Sequence, residues 1–487
     1  MEQPGDITSR PAIADSAGTY THRDLENAAA RVARRLLGGA PDLDEARVAL
    51  LVEPDLHFAA ALRGIYRAGG IAVPLALSHP PAELEHVLRD SGARTAVVSR
   101  ALRSRLEPLA AELGFEVFEA ETLIAAGDPL RPLPEVTPGR RALIVYTSGT
   151  TGRPKGAVWT HAGLTWQCDT LIRAWGWVPD DRALLVLPLH HVHGLVNVLS
   201  CALAAGATCE MLPRFDPATV WERLASGEVT VFMAVPTIYH RLLTAWDEAS
   251  PRDQERWSKG SAGLRLMVSG SAALPTQTFE RWRALTGHAL LERYGMTEIG
   301  MALSNPLVGE RIPGTVGRPL PGVETRFAEE AGTSMGELWV RSPGIFLEYW
   351  RRPEATADSF HDDWFVTGDT AILADGVFRI LGRSSVDILK TGGYKVSALE
   401  IEGVLRDHPA AVECAVVGIP DPEWGERIAA AVVLKPGTSL DLEALRTFAR
   451  DHLAPYKLPT RLALVPDLPK NAMGKVVKAE VKQLFPG

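Results

Sequence analysis

Tyr146-Thr147-Ser148-Gly149-Thr150-Thr151-Gly152-Arg153-Pro154-Lys155-Gly156 is the stretch on which the reading of this chain turns. The apolar run before it, from Ala142 to Val145, has the character of a buried strand. The chain then passes straight into a segment made almost wholly of hydroxyl residues and glycine. Glycines let the backbone approach an anion, and their amides together with Ser/Thr hydroxyls can surround phosphate oxygens. Lys155 adds a cation. The Gly-Lys-Ser/Thr of nucleotide-binding P-loops is absent, so the magnesium-binding hydroxyl after the lysine is missing. The segment therefore reads as a phosphate cradle of another kind, set at the end of a strand.

Strands and helices alternate on both sides of it. Upstream, Arg47-Val48-Ala49-Leu50-Leu51-Val52 reads as a buried strand, residues 58–68 as a helix, and residues 71–75 and 95–99 as further strands. Downstream, residues 142–147, 183–187, 231–235 and 266–269 are strand candidates between helical patterns. This predicts an α/β fold, with a large N-terminal domain of doubly wound, largely parallel sheets. Near residue 310 the texture changes to dense Gly and Pro (Pro313-Gly314, Pro319, Pro321-Gly322, Pro343-Gly344) with alternating strands such as Gly336-Glu337-Leu338-Trp339-Val340-Arg341. A β-rich subdomain over about 310–382 is expected there. Beyond Gly382-Arg383 a small α+β domain is expected, with helices near 398–407 and 442–453 and a strand at 412–419. The division is then 1–383 and 384–487.

Composition narrows the partners. With 51 Lys and Arg against 59 Asp and Glu the formal charge is −8, which argues against bulk binding to nucleic acid or anionic membrane. The four cysteines form no CxxC pair, which points away from a disulfide framework and towards a reducing compartment. Residues 1–15 carry Glu2, Asp6 and Asp15 without an apolar core, so no secretory leader is expected and a cytoplasmic location is. Residues 183–209 lack Asp, Glu, Lys and Arg but contain Pro188, Gly194, His190, His191 and His193. A buried strand, a polar bend and a buried helix near 195–205 fit them better than a membrane span. The histidines lack ligand spacing or a carboxylate, so no metal is expected on them.

Further motifs carry chemistry. Gly270-Ser271-Ala272 supplies small residues where a flat purine could lie against backbone. Tyr294 offers an aromatic face, Thr297 a hydroxyl, and Glu298 a hard carboxylate able to hold Mg²⁺. Asp369, in a Gly-flanked turn, can accept both hydroxyls of a ribose or serve only as an Asx-turn. In order along the chain these segments, with Gly382-Arg383, Lys390-Thr391-Gly392-Gly393-Tyr394-Lys395 and Asn471-Ala472-Met473-Gly474-Lys475, resemble the adenylate-forming superfamily of acyl-CoA synthetases, firefly luciferase and peptide-synthetase adenylation domains. The resemblance spans about residues 20–480.

It implies an AMP-forming acid–thiol ligase using ATP, Mg²⁺ and coenzyme A, through an acyl-adenylate and with release of pyrophosphate. ATP would be held by Thr147, Ser148, Gly149, Thr150, Thr151, Gly152, Lys155, Gly270, Ser271, Ala272, Tyr294, Asp369 and Arg383. Thr297, Glu298 and Lys475 would be catalytic, with Glu298 on the metal and Lys475 on the carboxylate and α-phosphate. The small domain would be mobile, rotating about a hinge within residues 383–387 to present Lys390, Gly392, Gly393 and Lys395 to CoA. Many relatives carry Asp or Lys at the pivot, whereas this chain has Ser384-Ser385-Val386-Asp387, so the pivot residue stays open.

Two features bear on the acid. Acyl pockets of the superfamily are lined near Leu187-Pro188-Leu189-His190-His191-Val192-His193-Gly194, and His191 is the candidate gate at the substrate carboxylate. Arg293, next to Tyr294, would be misplaced for a fatty acid but suits a second carboxylate, which needs a forked, permanently charged donor. The plain alternative is an ion pair with Glu292 or another structural ion pair. These residues, with Gly300-Met301-Ala302-Leu303-Ser304 and the segment from Ser385 to Glu400, resemble malonyl-CoA synthetases, including the animal mitochondrial branch. Malonate:CoA ligation is expected, with methylmalonate as a second candidate acid and no obligate protein partner. Another short or medium acid, a carrier protein as acceptor, and a catalytically inactive nucleotide-binding protein are the alternatives.

Overall fold

A computed structural model of the chain describes residues 7–125, 131–147, 154–328, 334–384, 386–391, 394–422, 424–470 and 476–485. Four sheets organise it. In the first, the strands Pro11–Asp15, Thr208–Met211, Arg182–Leu185, Val231–Ala234, Leu266–Ser269 and Leu291–Met296 run parallel side by side. Antiparallel partners close it at both edges, Gly18–Thr21 at one and Gly300–Ser304 with Arg318–Pro319 at the other. In the second, Glu116–Glu119, Thr95–Val98, Arg47–Leu51, Ile71–Pro74 and Arg141–Thr147 are parallel, and Lys155–Thr160 returns antiparallel to Arg141–Thr147.

Parallel strands are covered on both faces, so their residues are near-continuously apolar. One core joins both sheets to the helices His22–Leu37, Leu56–Arg67 and His161–Trp175. Separate clusters seal the outer faces, and Trp221 stacks between Trp257 and Trp282 over the first sheet. Fully burying each such ring contributes about 1.5–3 kcal/mol or more. The strands Glu324–Phe327, Met335–Arg341, Phe360–His361, Trp364–Ala374 and Val377–Arg383 form a third, antiparallel sheet. The expected β-rich texture is there, but two strands of that region leave it: Arg318–Pro319 joins the first sheet and Glu348–Tyr349 the second. The fourth sheet, from Ile388–Thr391 to Arg461–Leu464, packs the helices Ala398–Arg406 and Leu442–Arg450 on one face and Lys478–Gln483 on the other.

One element differs in kind from the sequence reading. The strand expected at 183–187 ends at Leu185, and the helix after the bend begins at His193 as a wide π-turn run, His193–Ser200, before closing to Cys201–Ala204. Gly194 explains the start, because a Cβ there would lie 2.5 Å from the Pro188 carbonyl oxygen. The wider turn re-aims His193 and Asn197, a common use of π-segments at functional sites. Among the described residues no helix is long and apolar enough to cross a membrane.

Candidate active site

The site lies where parallel strands of both large sheets end, the usual place for ligands in open α/β sheets. Thr147 ends its strand, and its hydroxyl donates to the Lys155 carbonyl at 3.4 Å. Ser148, Gly149, Thr150, Thr151 and Gly152 lie outside the described residues, as do Gly392, Gly393, Lys475 and the side chain of Lys395. Lys155 is exposed, with its ammonium 5.0 Å from the centre of the Tyr349 ring. The pairing of Tyr349 with Ala157 brings that ring in. Tyr349 Oη donates in turn to Glu298 Oε1 at 2.7 Å.

Glu298 is buried, and burial is the main reason its carboxyl titrates above the ordinary range. A divalent cation would hold it ionised. Among the described residues no three His, Cys, Asp or Glu side chains converge on a metal. One carboxylate, with the remaining ligands from phosphate and water, is the arrangement Mg²⁺ favours, so Glu298 fits it. Beside it, Thr297 is placed by its carbonyl, which accepts from Trp159 Nε1 at 3.1 Å.

On the nucleotide side Tyr294, Asp369 and Arg383 form one cluster. Tyr294 Oη donates to Asp369 Oδ2 at 2.5 Å, and Arg383 Nε lies 3.1 Å from Asp369 Oδ1. Arg383 Nη1 also donates to the Thr367 carbonyl at 2.6 Å. The Asp369 amide donates to Thr367 Oγ1 at 3.0 Å, an Asx/ST-type turn that aims the carboxylate. Burial and then the Asp369 charge push the Tyr294 phenol well up, so it stays a donor. Gly270 is buried, while Ser271 and Ala272 are exposed at the end of Leu266–Ser269. Ser271 has φ +69°, a left-handed conformation that side chains other than glycine rarely adopt.

Arg293 is the unusual residue. Alternation along Leu291–Met296 sends Glu292 and Arg293 to opposite faces. Glu292 Oε1 accepts from the Gly314 amide at 2.8 Å, and burial pushes its carboxyl up to about 8. It is therefore no partner for Arg293, and no other ion pair to Arg293 is formed among the described residues. Arg293 is only 4% exposed, and its Nε and Nη2 have no hydrogen-bond partner among the described residues. Burial pushes its pKa down to about 9. An unpaired buried cation costs several kcal/mol, on the order of what a missing anion would restore.

The imidazole beside it belongs to His193. Burial, and then the Arg293 charge, hold His193 neutral. Its Nδ1 lies 3.2 Å from Ser271 Oγ, and its Nε2 is buried without a partner. If Ser271 donates, Nε2 carries the hydrogen and needs an acceptor. His191 instead lies against His190, the tilted rings 4.1 Å apart between centres, and the His190 ring centre is 5.7 Å from that of His79. Burial lowers His190 to about 2 and His191 to about 4. Of the three histidines, the one brought to Arg293 is thus His193, not the expected His191. Both side-chain polar atoms of Asn197 and the Ser269 hydroxyl are also buried without partners. His193 was legible only as one of three, and Asn197, Ser269 and Tyr349 carried no local signal.

Gly270 makes room for the guanidinium. A Cβ there would lie 2.5 Å from Arg293 Cζ and 2.6 Å from Nε. Gly270→Ala is expected to push the flexible Arg293 head aside while leaving the fold intact. The KM for a diacid should rise about tenfold or more, with little change for a monoacid. Paired steady-state kinetics on the two acids check this.

The AMP-binding enzyme model matches residues 3–350, and the AMP-binding enzyme C-terminal domain matches residues 400–475. The chain belongs to the AMP-binding enzyme family. It is 46% identical to the mouse (Mus musculus) mitochondrial malonate–CoA ligase ACSF3, over 98% of this chain and 89% of that protein. It is 40% identical to a malonate–CoA ligase of Arabidopsis thaliana, over 97% of this chain and 86% of that one. Among solved structures it aligns with ATP-bound MatB from Rhodopseudomonas palustris at TM-score 0.89 and 34% identity, covering 99% and 97% of the two chains. A malonyl-CoA ligase with methylmalonyl-CoA and AMP bound aligns at TM-score 0.71 and 38% identity, over 96% and 98%.

Proposed function

We propose that this protein is an ATP-dependent malonate:CoA ligase. The observation that carries the reading is the buried Arg293 guanidinium, with two unpaired nitrogens in an active site and no carboxylate of its own. The distal carboxylate of malonate supplies the missing anion, and the neutral His193 imidazole supplies a further donor. The proximal carboxylate attacks the α-phosphorus of ATP, and pyrophosphate leaves. The sulfur of CoA then attacks the acyl carbon, AMP leaves, and the thiol proton goes to solvent.

Each stage uses residues of this chain. Tyr294 and Asp369 orient adenine and ribose, with Arg383 turning from Asp369 towards the nucleotide. Glu298 would hold Mg²⁺, which when bound would neutralise phosphate charge. The Thr147–Gly152 segment and Lys155 receive phosphate oxygens of ATP. Lys475 contacts the attacking carboxylate and the α-phosphate during adenylation, and Lys390, Gly392, Gly393 and Lys395 face CoA afterwards. The boundary near residue 383 separates the parts that make these contacts. The known ligases it resembles and the unpaired arginine support malonate, and methylmalonate differs by one methyl on the central carbon.

A panel of acids with ATP and CoA, scored by pyrophosphate release and thioester mass, tests the reading. Malonate should exceed propionate in kcat/KM by at least ~100-fold, equivalent to about 3 kcal/mol from one charged pair. Preference for butyrate or benzoate would refute malonate as the substrate. Transfer to phosphopantetheinyl protein but not to free CoA would refute CoA as the acceptor.

A further inference from the structure

Tyr349 enters the site from a strand of only two residues, Glu348–Tyr349, yet it is firmly held. It pairs antiparallel with Ala157 of the strand Lys155–Thr160. The flanking residues are tied to the same strand: the Leu347 amide donates to the Val158 carbonyl and the Trp350 amide to the Gly156 carbonyl, both at 2.7 Å. The Tyr349 amide donates to Thr356 Oγ1 at 2.9 Å, and its ring meets Phe346 edge-on with centres 4.8 Å apart. The side chain is buried and has little freedom to turn.

From this fixed place the phenol donates to Glu298 Oε1 at 2.7 Å. The Phe346 amide, three residues earlier, donates to the Glu298 carbonyl at 2.7 Å. Alternation puts Lys155, Ala157 and Trp159 on one face of their strand, and Tyr349, opposite Ala157, shares that face. From it Trp159 Nε1 donates to the Thr297 carbonyl at 3.1 Å, and the Lys155 ammonium stands 5.0 Å from the centre of the Tyr349 ring. The backbone is thus pinned at Thr297 and at Glu298, and the carboxylate at one oxygen. One tyrosine touches both the carboxylate read as the metal ligand and the lysine read as a phosphate ligand. A single neutral donor does not offset the cost of burying a carboxylate, so stability alone does not account for the arrangement.

We infer that Tyr349 is a positioning residue for the metal ion that accompanies ATP. By holding Oε1 it fixes the orientation in which the Glu298 carboxylate is offered to the cation. This rests on the reading of Glu298 as the residue that holds Mg²⁺. Mg²⁺ demands near-ideal ligand geometry, and groups that orient a metal ligand typically carry about 10- to 100-fold in metal affinity.

The test uses the full chain and α,β-methylene-ATP, which cannot release pyrophosphate, titrated calorimetrically with Mn²⁺ present and again with all metal removed by EDTA. The ratio of the two affinities is the metal's share of nucleotide binding. Tyr349→Phe should lower that ratio about 10-fold. It should leave the metal-free affinity within about twofold, because the phenylalanine ring keeps the packing and the face presented to Lys155. Glu298→Gln should lower the ratio at least as far, and adding Tyr349→Phe to it should change nothing more. An unchanged ratio in Tyr349→Phe, an equal fall of both affinities, or additive losses in the double variant would each overturn the inference. An unchanged ratio in Glu298→Gln would instead sink the reading beneath it.

Discussion

Arg293→Met is expected to lower kcat/KM for malonate at least ~100-fold and, in the same protein, to raise the stability of the ligand-free chain. The two effects have one cause. In the free protein the guanidinium is buried with Nε and Nη2 unpaired, and no carboxylate among the described residues offsets its desolvation. Replacing buried charge with an apolar side chain of similar volume commonly stabilises by about 1–4 kcal/mol. Thermal melting without ligands, alongside kinetics on malonate and propionate, measures both. Propionate activity should fall little, because a monoacid never used the cation. A variant that loses malonate activity and also melts earlier would mean the arginine is structural.

The same residue sets a pH dependence. Burial lowers the Arg293 pKa to about 9. Below that pH the cation is present and able to bind the distal carboxylate. Malonate kcat/KM should therefore decline as pH rises through about 9, while the propionate profile lacks that limb. The stability sign is opposite. A base whose folded pKa lies below its unfolded value binds fewer protons when folded, so its penalty is full below about 9 and shrinks as pH rises further.

Lys475→Ala should cost adenylation about 100- to 1,000-fold or more, the usual scale for removing a donor aimed at transition-state charge. Thioester formation from preformed malonyl-adenylate should persist within a few-fold, since there the phosphate is already the leaving group. Separate measurement of pyrophosphate exchange and thioester transfer distinguishes this from a general loss. Equal impairment of both steps would show that one lysine serves the whole cycle.

Much of this site was written in local patterns. Strand runs such as Arg47–Leu51 and Leu266–Ser269 were legible because parallel strands are buried on both faces and read as continuous apolar segments. Tyr294, Glu298, Asp369 and Arg383 were legible because each lies in a short motif with its own spacing. The π-turns at His193–Ser200 were not, since the close approach of Gly194 to the Pro188 and Leu187 carbonyls at their start is a feature of the folded bend rather than of any local pattern. Tyr349 reached Glu298 through a strand pairing with Ala157 across almost two hundred residues, which no window on the sequence contains.

The order of motifs determined the class of chemistry, because phosphate, ribose and metal each demand particular side chains at short range. It also determined that an arginine, Arg293, stands next to Tyr294. Which way that arginine faces was decided only by the tertiary structure. Period-two alternation separates Glu292 from Arg293, but whether a face meets a wall or a cavity depends on what packs there from elsewhere in the chain. Here the missing side chain of Gly270 makes room for the guanidinium, His193 lies beside it, and no carboxylate among the described residues pairs with it.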